Sequence, residues 1–279
     1  MAAHISTANN ARLRTMVVPR EHGAWGMLLV PLVTGAVVAR TGMNFANLTW
    51  FVVAALALFW LRTPLESWLG TSPIKAQSAA ERKAVGRAIV AIAATALGSI
   101  GVLLHSDRAR GLPIIGSVAA VAFAAQMQVK KLGRKGRMPA QVIGAIGLTS
   151  TAAGAYYVTT GRLDGIAIAL WIANWLFAAD QIHFVQVRIR SARAASFRVK
   201  LVHGAPFLVA QAGLAVGIIA AWRFRVFPAL VAIAFLPVVL RGILWFVREP
   251  QPLDVHKLGF SELRQALLFG ALLSVAFLI

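Results

Sequence analysis

The sequence contains no cysteine and few charged residues. The absence of cysteine excludes disulfide bonds, thiolate metal sites and cysteine nucleophiles. Charged residues make up 13% of the chain, whereas about 25% is usual in soluble domains. Only nine of these residues are acidic. This composition excludes an ordinary soluble domain.

Several short functional motifs are absent as well. The sequence has no phosphate-binding loop, no HExxH zinc motif, no triad spacing and no repeated Asp cluster. The net charge of +19 comes without a soluble basic domain or an aromatic-rich recognition module, so we expect no nucleic-acid partner. Residues 1–15 are polar and lack an apolar core with a cleavage site, so no signal peptide is predicted.

Long apolar segments, by contrast, occupy most of the chain. Hydrophobic residues make up 59% of it, and the apolar runs have the length of membrane spans, roughly 17 to 25 residues. The sequence therefore predicts an all-α integral membrane protein, a bundle of about nine transmembrane helices. Residues 1–18 are predicted to be a polar cytoplasmic tail, and residues 19–279 a single polytopic domain. The predicted spans are 24–40, 47–62, 88–105, 112–129, 139–160, 164–184, 204–222, 226–246 and 262–279.

The positive residues predict the orientation of these spans. Of the 28 Lys and Arg residues, 22 lie on one side of the nine-span arrangement and six on the other. Short loops rich in Lys and Arg stay in the cytoplasm, so the N-terminus is predicted inside and the C-terminus outside. Anionic membrane lipids would add to the stabilisation of these loops. Most of the excess positive charge then needs no further role.

The acidic residues cluster on the same predicted cytoplasmic side. Only Asp107 and Asp164 fall on the other side, although acids contribute little to topology. Pairing with nearby arginines is the simplest explanation, and a shared polar pocket facing the cytoplasm is the alternative. The clustered acids are Glu21, Glu66, Glu81, Asp180, Glu249, Asp254 and Glu262.

The stretch from Asn174 to Lys200 is the strongest candidate for a functional site. It begins as the apolar end of a span and ends in a run of cationic side chains. Polar groups at this depth are costly without a partner or a cavity, so each is a candidate site residue. Helical periodicity places them on two adjacent stripes, although a plain interfacial cap would also explain some of them. One stripe is Asn174, Gln181 and Arg188, the other is Asp180, His183 and Arg190, and Gln186 lies between.

A second candidate lies at the entry to the first span, in the sequence PREHGAW. Arg20, Glu21 and His22 precede small residues and Trp25. A helix N-terminus favours anions, so Arg20 and His22 are suited to hold a phosphate or a carboxylate there. An interfacial anchor, with Trp25 in the aromatic belt, explains the same residues equally well.

Two further arginines are candidates. Arg62 and Glu66 lie at the end of the second span and just after it. They have the i, i+4 spacing of a local ion pair, although Pro64 lies between them. Arg241 is surrounded by apolar residues near the cytoplasmic end of the eighth span. An arginine among the apolar residues of a span is a site candidate by default.

These segments resemble the YwiC-like family of bacterial membrane proteins. The resemblance rests on PREHGAWGMLLVPLVTG (19–35), AYYVTTG (155–161), NWLFAADQIHFVQVRIR (174–190), LPVVLRGILW (236–245) and LGFSEL (258–263). It implies a multi-pass protein of the bacterial cytoplasmic (inner) membrane, and it implies no particular reaction.

A weaker resemblance is to the UbiA superfamily of intramembrane prenyltransferases. Proteins of that superfamily are nine-helix bundles with the N-terminus inside, and their catalytic loops follow helices two and six. There, Mg²⁺ holds the substrate diphosphate between two Asp-rich motifs. This chain departs from the pattern, because it offers only Arg62 and Glu66 after span two, and Asp180 with His183, Gln186 and Arg188 after span six. Two bridging metal ions need more carboxylate oxygens than these.

Two hypotheses follow. In the first, the protein is an intramembrane enzyme that acts on an isoprenoid or another lipid with an anionic head. Asp180 would be a lone Mg²⁺ ligand or a base, His183 a base or donor, and Asn174 would orient the acceptor. The phosphates would be held by Arg20, Arg62, Arg188 and Arg190. In the second, the protein is a transporter or lipid-binding scaffold that binds an anion without transforming it.

Overall fold

The computed structural model describes residues 12–19, 22–40, 44–106, 110–133, 135–193, 196–249 and 253–279. Within these residues it contains nine helices of 17 residues or more and no strand. They are α1 (His22–Val38), α2 (Phe45–Trp68), α3 (Ala79–Leu104), α4 (Leu112–Lys130), α5 (Arg137–Thr160), α6 (Gly165–Arg190), α7 (Phe197–Arg223), α8 (Val231–Val247) and α9 (Val255–Leu278).

The helices have the length and apolarity of membrane spans. Seven of them, α2 to α7 and α9, are long and apolar enough to cross a membrane. The other two, α1 and α8, are shorter apolar helices of 17 residues, each with an internal proline, Pro31 or Pro237. The prediction of an all-α membrane protein is therefore confirmed. The predicted orientation stays a prediction, because helix length and composition do not distinguish the two sides.

Several helices extend further than predicted, and they do so at their predicted cytoplasmic ends. α6 continues to Arg190 and α7 already begins at Phe197, so most of the expected loop 185–203 is helical. α9 begins at Val255 because the Asp254 carboxylate caps it, accepting the Lys257 N–H at 3.0 Å. That hydrogen bond is the main reason why the pKa of Asp254 is lowered. Polar side chains expected in loops are thereby fixed on helices.

Two prolines occupy different positions in their helices. Pro113 lies in the first turn of α4, where its missing N–H has no helical partner to lose. Pro206 lies near the start of the predicted span 204–222, but it is the tenth residue of α7. The helix begins earlier because Ser196 caps it, its hydroxyl accepting the Val199 N–H at 3.4 Å.

The chain forms two compact units. The first comprises residues 1–21 and 44–110, with helices α2 and α3. The second comprises residues 22–43 and 111–279, with α1 and α4 to α9. The division into a tail and one polytopic domain stays a prediction.

In the first unit, α2 and α3 pack against each other and hold a short helical segment, 12–17. Met16 is fully buried in a small core with Ala76 and Val85. The indole N–H of Trp60 donates to the carbonyl oxygen of Val17 at 2.8 Å. The described part of the predicted polar tail is thus packed onto its own unit.

The start of α3 is fixed by a capping box. The Ser78 hydroxyl accepts the Glu81 N–H at 3.1 Å, and the Glu81 carboxylate accepts the Ser78 N–H at 3.1 Å. We expect Ser78→Ala to reduce the free energy of unfolding by about 1 kcal/mol. Thermal unfolding in detergent measures this, with Ser117→Ala, at an exposed position within α4, as the control. An equal effect of both substitutions would contradict the assignment.

In the second unit, α5 occupies the centre. It packs against α1, α4 and α6, and its residues from Thr149 to Thr159 are buried without interruption. Most of them are small, which allows helix backbones to approach closely in a membrane. The Thr151 hydroxyl donates to the carbonyl oxygen of Leu28 in α1 at 3.0 Å. At Gly35 of α1 the contact is so close that an added Cβ would overlap the carbonyl oxygen of Ala152.

The remaining helices pack next to this centre. α9 lies against α1 and α8, and α7 lies against α6 and α8. Aromatic rings fill the space between them, with Phe177 of α6 stacked on Phe269 of α9 at a centroid distance of 4.1 Å. A second apolar cluster combines Phe184, Val187, Phe207, Phe246 and Leu258. This packing brings the polar residues of α6 to α9 together.

Candidate functional site

Asp180 lies on the buried face of α6. The helix starts at the Asp164 cap, whose Oδ1 accepts the N–H groups of Ile166 and Ala167, and it runs without interruption to Arg190. One turn after Asp180, Phe184 continues the same face, as i, i+4 residues do on a helix. Asp180 is only 8% exposed. A charged group buried this deeply needs a partner.

That partner is Arg241 of α8. Its Nη2 donates to Asp180 Oδ2 at 2.8 Å, and its Nη1 donates to Glu262 Oε2 of α9. The guanidinium carbon lies 4.1 Å above the centre of the Phe184 ring. The side chain of Arg241 is 10% exposed. One arginine therefore joins carboxylates from two other helices.

Two glutamines extend the network. Gln211 of α7 is 8% exposed and donates through Nε2 to Asp180 Oδ1. Gln181 of α6 donates to the backbone carbonyl oxygen of Glu262 at 2.8 Å. Four helices, α6 to α9, thus share one hydrogen-bonded group, which we call the Arg241 network: Asp180, Gln181, Gln211, Arg241 and Glu262.

The Arg241 network is not fully satisfied. It combines two carboxylates with one guanidinium, and Asp180 and Glu262 are 8% and 9% exposed. Among the described residues, Glu262 Oε1, Gln211 Oε1 and Arg241 Nε are buried and have no hydrogen-bond partner. Gln265 Oε1, one turn further along α9, shares this state. Unpaired buried polar atoms cost free energy, so native proteins contain few of them.

Arg188 lies beside this network. It is half-buried on α6 and interacts electrostatically with both Glu262 and Arg241. Within the described part of the chain it forms no hydrogen bond or ion pair. Arg190 is exposed in the same last turn of α6. His183 is half-buried and meets Phe207 edge-on at a centroid distance of 5.3 Å.

Lys200 is a buried cation that the sequence did not single out. It is 2% exposed in the first turn of α7, and its Nζ donates to the carbonyl oxygens of Trp245 and Arg248 at the end of α8. Its Nζ also lies 4.6 Å from the centre of the Trp245 ring. A cation at a helix C-terminus interacts favourably with the helix dipole. Lys200 therefore holds the end of the helix that carries Arg241.

The comparison with protein families gives one match. The family described as YwiC-like protein matches residues 18–157, which is 140 of the 279 residues. The chain belongs to the YwiC-like family. The comparisons with curated proteins and with solved structures give no match. The matched part of this YwiC-like protein ends within α5, so the Arg241 network lies beyond it.

Two amides predicted as site residues have other partners in the YwiC-like protein. Asn174 is buried on α6 and donates to the Leu170 carbonyl oxygen at 2.8 Å and to Thr34 Oγ1 of α1 at 3.3 Å. Gln186 donates to Gln141 Oε1 of α5 at 3.1 Å. Neither amide forms a hydrogen bond with Asp180 in the described residues. The predicted roles of Asn174 and Gln186 as site residues stay predictions.

The candidates near the first two spans are described only in part. Arg62 Nε lies 3.0 Å from Glu66 Oε1, so the expected ion pair is present and Pro64 is accommodated within α2. Trp25 is half-buried on α1. Arg20, Glu21 and the side chain of His22 lie outside the described residues.

The chemistry around Asp180 does not suit Mg²⁺. Both of its carboxylate oxygens accept hydrogen bonds, one from Gln211 and one from the cationic Arg241. Mg²⁺ requires several free oxygen ligands and no cation beside them. No group of three or more His, Cys, Asp or Glu side chains suited to a metal is found in the residues that the structure describes. The proposed metal role of Asp180 gains no support from its surroundings.

Gln211 and Glu262 are two members of the Arg241 network that features of the sequence could have predicted. Gln211 is an amide in an otherwise apolar span, a position that marks a site candidate by default, and it was overlooked. Glu262 is one of the clustered acids, for which pairing with arginine and a shared polar pocket facing the cytoplasm are the two explanations. The structure shows the pairing, because Arg241 binds Glu262 inside a buried network. The shared pocket stays a prediction.

Proposed function

We propose that this YwiC-like membrane protein binds an isoprenoid or another lipid with an anionic, diphosphate-like head at the predicted cytoplasmic end of α6 to α9. The observation that carries the proposal is Arg188. It is a half-buried cation with no hydrogen-bonded partner in the described part of the chain, and it lies beside a network whose own arginine is already paired. A phosphate group is the kind of ligand that satisfies such a guanidinium.

The surroundings of Arg188 supply both parts of a lipid site. Lys200 feels the charge of Arg188, and exposed Arg190 and Arg198 add further cations at the same helix ends. Ile189, next to Arg188, is an exposed apolar side chain of the kind that an isoprenoid chain contacts. Arginines would hold the head directly, so binding would not require Mg²⁺. A diverged, UbiA-like transferase is the enzyme version of this proposal, with Asp180 and His183 nearest to the head.

Thermal stability in detergent tests the binding step. Farnesyl diphosphate at 100 times its Kd should stabilise the protein by about 2.7 kcal/mol, because it binds only the folded state. We expect this stabilisation without Mg²⁺, and we expect it to be lost in Arg188→Gln. Arg223→Gln, an exposed arginine at the other end of α7, is the matched control and should retain it.

Two further ligands separate the parts of the lipid. Inorganic diphosphate reports on the head alone, and farnesol reports on the chain alone. Stabilisation that is equal in Arg188→Gln and in the control would contradict the proposed site. Stabilisation that appears only with Mg²⁺ and disappears in Asp180→Asn would instead support a metal-dependent, prenyltransferase-like site.

A second candidate function is transport of a solute. It is favoured by the Arg241 network itself, because charge networks inside membrane bundles mark ion and substrate pathways. Pro237 lies one turn before Arg241 in the short helix α8, where it weakens the regular hydrogen bonding of the helix. Solute flux into proteoliposomes, compared with the Arg241→Ala protein, tests this version. Flux equal to that of empty vesicles would exclude it for the solutes assayed.

A further inference from the structure

Glu262 is surrounded by an identifiable set of charged groups. α6 contributes Asp180 and Arg188, and α8 contributes Arg241. α7 contributes the neutral amide of Gln211, which donates to Asp180. Its Lys200 binds carbonyl oxygens at the end of α8, and its His203 is exposed. The remaining neighbour, α1, has no charged residue among residues 23–38, and Arg40 just beyond it donates to the Leu278 carbonyl oxygen at the opposite end of α9. Among the described residues, the hydrogen-bonded core therefore contains two carboxylates and one guanidinium.

The unpaired atoms of this core are mainly acceptors. Glu262 Oε1, Gln211 Oε1 and Gln265 Oε1 are all buried without a donor among the described residues. Glu262 Oε2, in contrast, already accepts from Arg241. Gln265 is three residues after Glu262, so the two side chains are neighbours on one face of α9. A proton on Glu262 Oε1 would turn that atom into a donor. A hydrogen bond from it to Gln265 Oε1 would then satisfy both atoms.

We propose that the Arg241 network is a proton-binding site, in which Glu262 carries an exchangeable proton on Oε1 and donates it to Gln265 Oε1. Binding of one proton converts the carboxylate into a carboxylic acid, and no other bond is made or broken. The acid still accepts from Arg241 through Oε2. The hydrogen-bonded core then contains one anion, Asp180, and one cation, Arg241, so its net charge is zero; the half-buried Arg188 lies outside this core. Charge balance in an apolar bundle favours this state.

This inference goes beyond lipid binding and stands on different contacts. Binding and release of the proton would make the packing of α6 to α9 depend on the proton concentration on the side of the membrane that the network faces. Loss of the proton from Glu262 would leave two carboxylates on one guanidinium. The neighbouring Arg188 would then be the nearest cation still without a hydrogen-bonded partner in the described residues.

Infrared spectroscopy of the full-length protein in a detergent without ester or carboxyl groups tests the proposal without any lipid diphosphate. A protonated carboxylic acid has a carbonyl stretch that ionised carboxylates lack. At neutral pH exposed Asp and Glu side chains are ionised, so a band there reports on a buried acid. We expect the band in the wild type, its loss in Glu262→Gln, and its retention in Glu249→Gln, an exposed glutamate beyond the end of α8.

Gln265→Ala provides a second test that keeps both carboxylates. Removal of the acceptor should shift the frequency of the acid band without abolishing it. This variant also serves if Glu262→Gln does not fold, since an unshifted band would then overturn the proposal.

Three other results would overturn it. No band in the wild type would show that the network holds no proton. A band lost in Asp180→Asn but kept in Glu262→Gln would place the proton on the other carboxylate. A wild-type band that is kept in both Glu262→Gln and Asp180→Asn would place the proton on a group outside the network.

Discussion

Replacing Arg241 with methionine is expected to destabilise the protein by about 3–5 kcal/mol, since breaking a buried ion pair leaves charges without a partner. Asp180 and Glu262 would both remain buried, and each would lose the donor that now binds it. Thermal or chemical unfolding in detergent measures the loss. Arg248→Met is the matched control, because Arg248 lies at the end of the same helix and its side chain is exposed. We expect its effect to stay within about 0.5 kcal/mol.

Neutralising the carboxylates should rescue the Arg241 variant. The triple variant Asp180→Asn, Arg241→Met, Glu262→Gln contains no buried charge in the core, and replacing a whole buried network is often neutral or stabilising. We expect it to recover most of the lost stability. If the triple variant is less stable than Arg241→Met alone, unpaired charge is not the reason for the loss.

Gly35→Ala is expected to have a large effect for a different reason. The added methyl group would overlap the carbonyl oxygen of Ala152, so α1 and α5 would have to move apart. Overpacking of a rigid contact costs about 1–3 kcal/mol, and backbone atoms cannot adjust as a flexible side chain can. Thr151 and Asn174 would also lose their hydrogen bonds to α1, at Leu28 and Thr34. The readout is again unfolding in detergent.

Gly26→Ala is the matched control on the same helix. A Cβ at Gly26 meets nothing within 4 Å, and alanine is favoured over glycine within a helix by about 0.8–1.0 kcal/mol. We therefore expect the two glycine substitutions to change stability in opposite directions. A stabilising effect of Gly35→Ala would contradict the close α1–α5 contact.

The sequence alone predicted the class of the protein and the number of long apolar helices in the residues that the structure describes. Apolar runs of span length appear directly in a linear sequence, since each helix satisfies its own backbone hydrogen bonds within the bilayer. Arg241 was identified in the same way, because a charge among apolar residues is costly wherever the chain places it. The helix ends were predicted less accurately. At α6 and α7, for example, the helices extend beyond their apolar segments through polar turns and capping residues.

Which of these polar residues meet depends on how the helices pack, and the sequence did not predict it. Periodicity placed Asn174 and Gln181 on one stripe of α6, yet Asn174 binds Thr34 of α1 and Gln181 binds the carbonyl oxygen of Glu262 in α9. Neighbouring positions on a single helix thus have different partners because different helices cover them. The pairing of Asp180 with Arg241 joins residues 61 positions apart. A sequence pattern within one helix carries no information about such a contact, which depends on how α6, α8 and α9 pack.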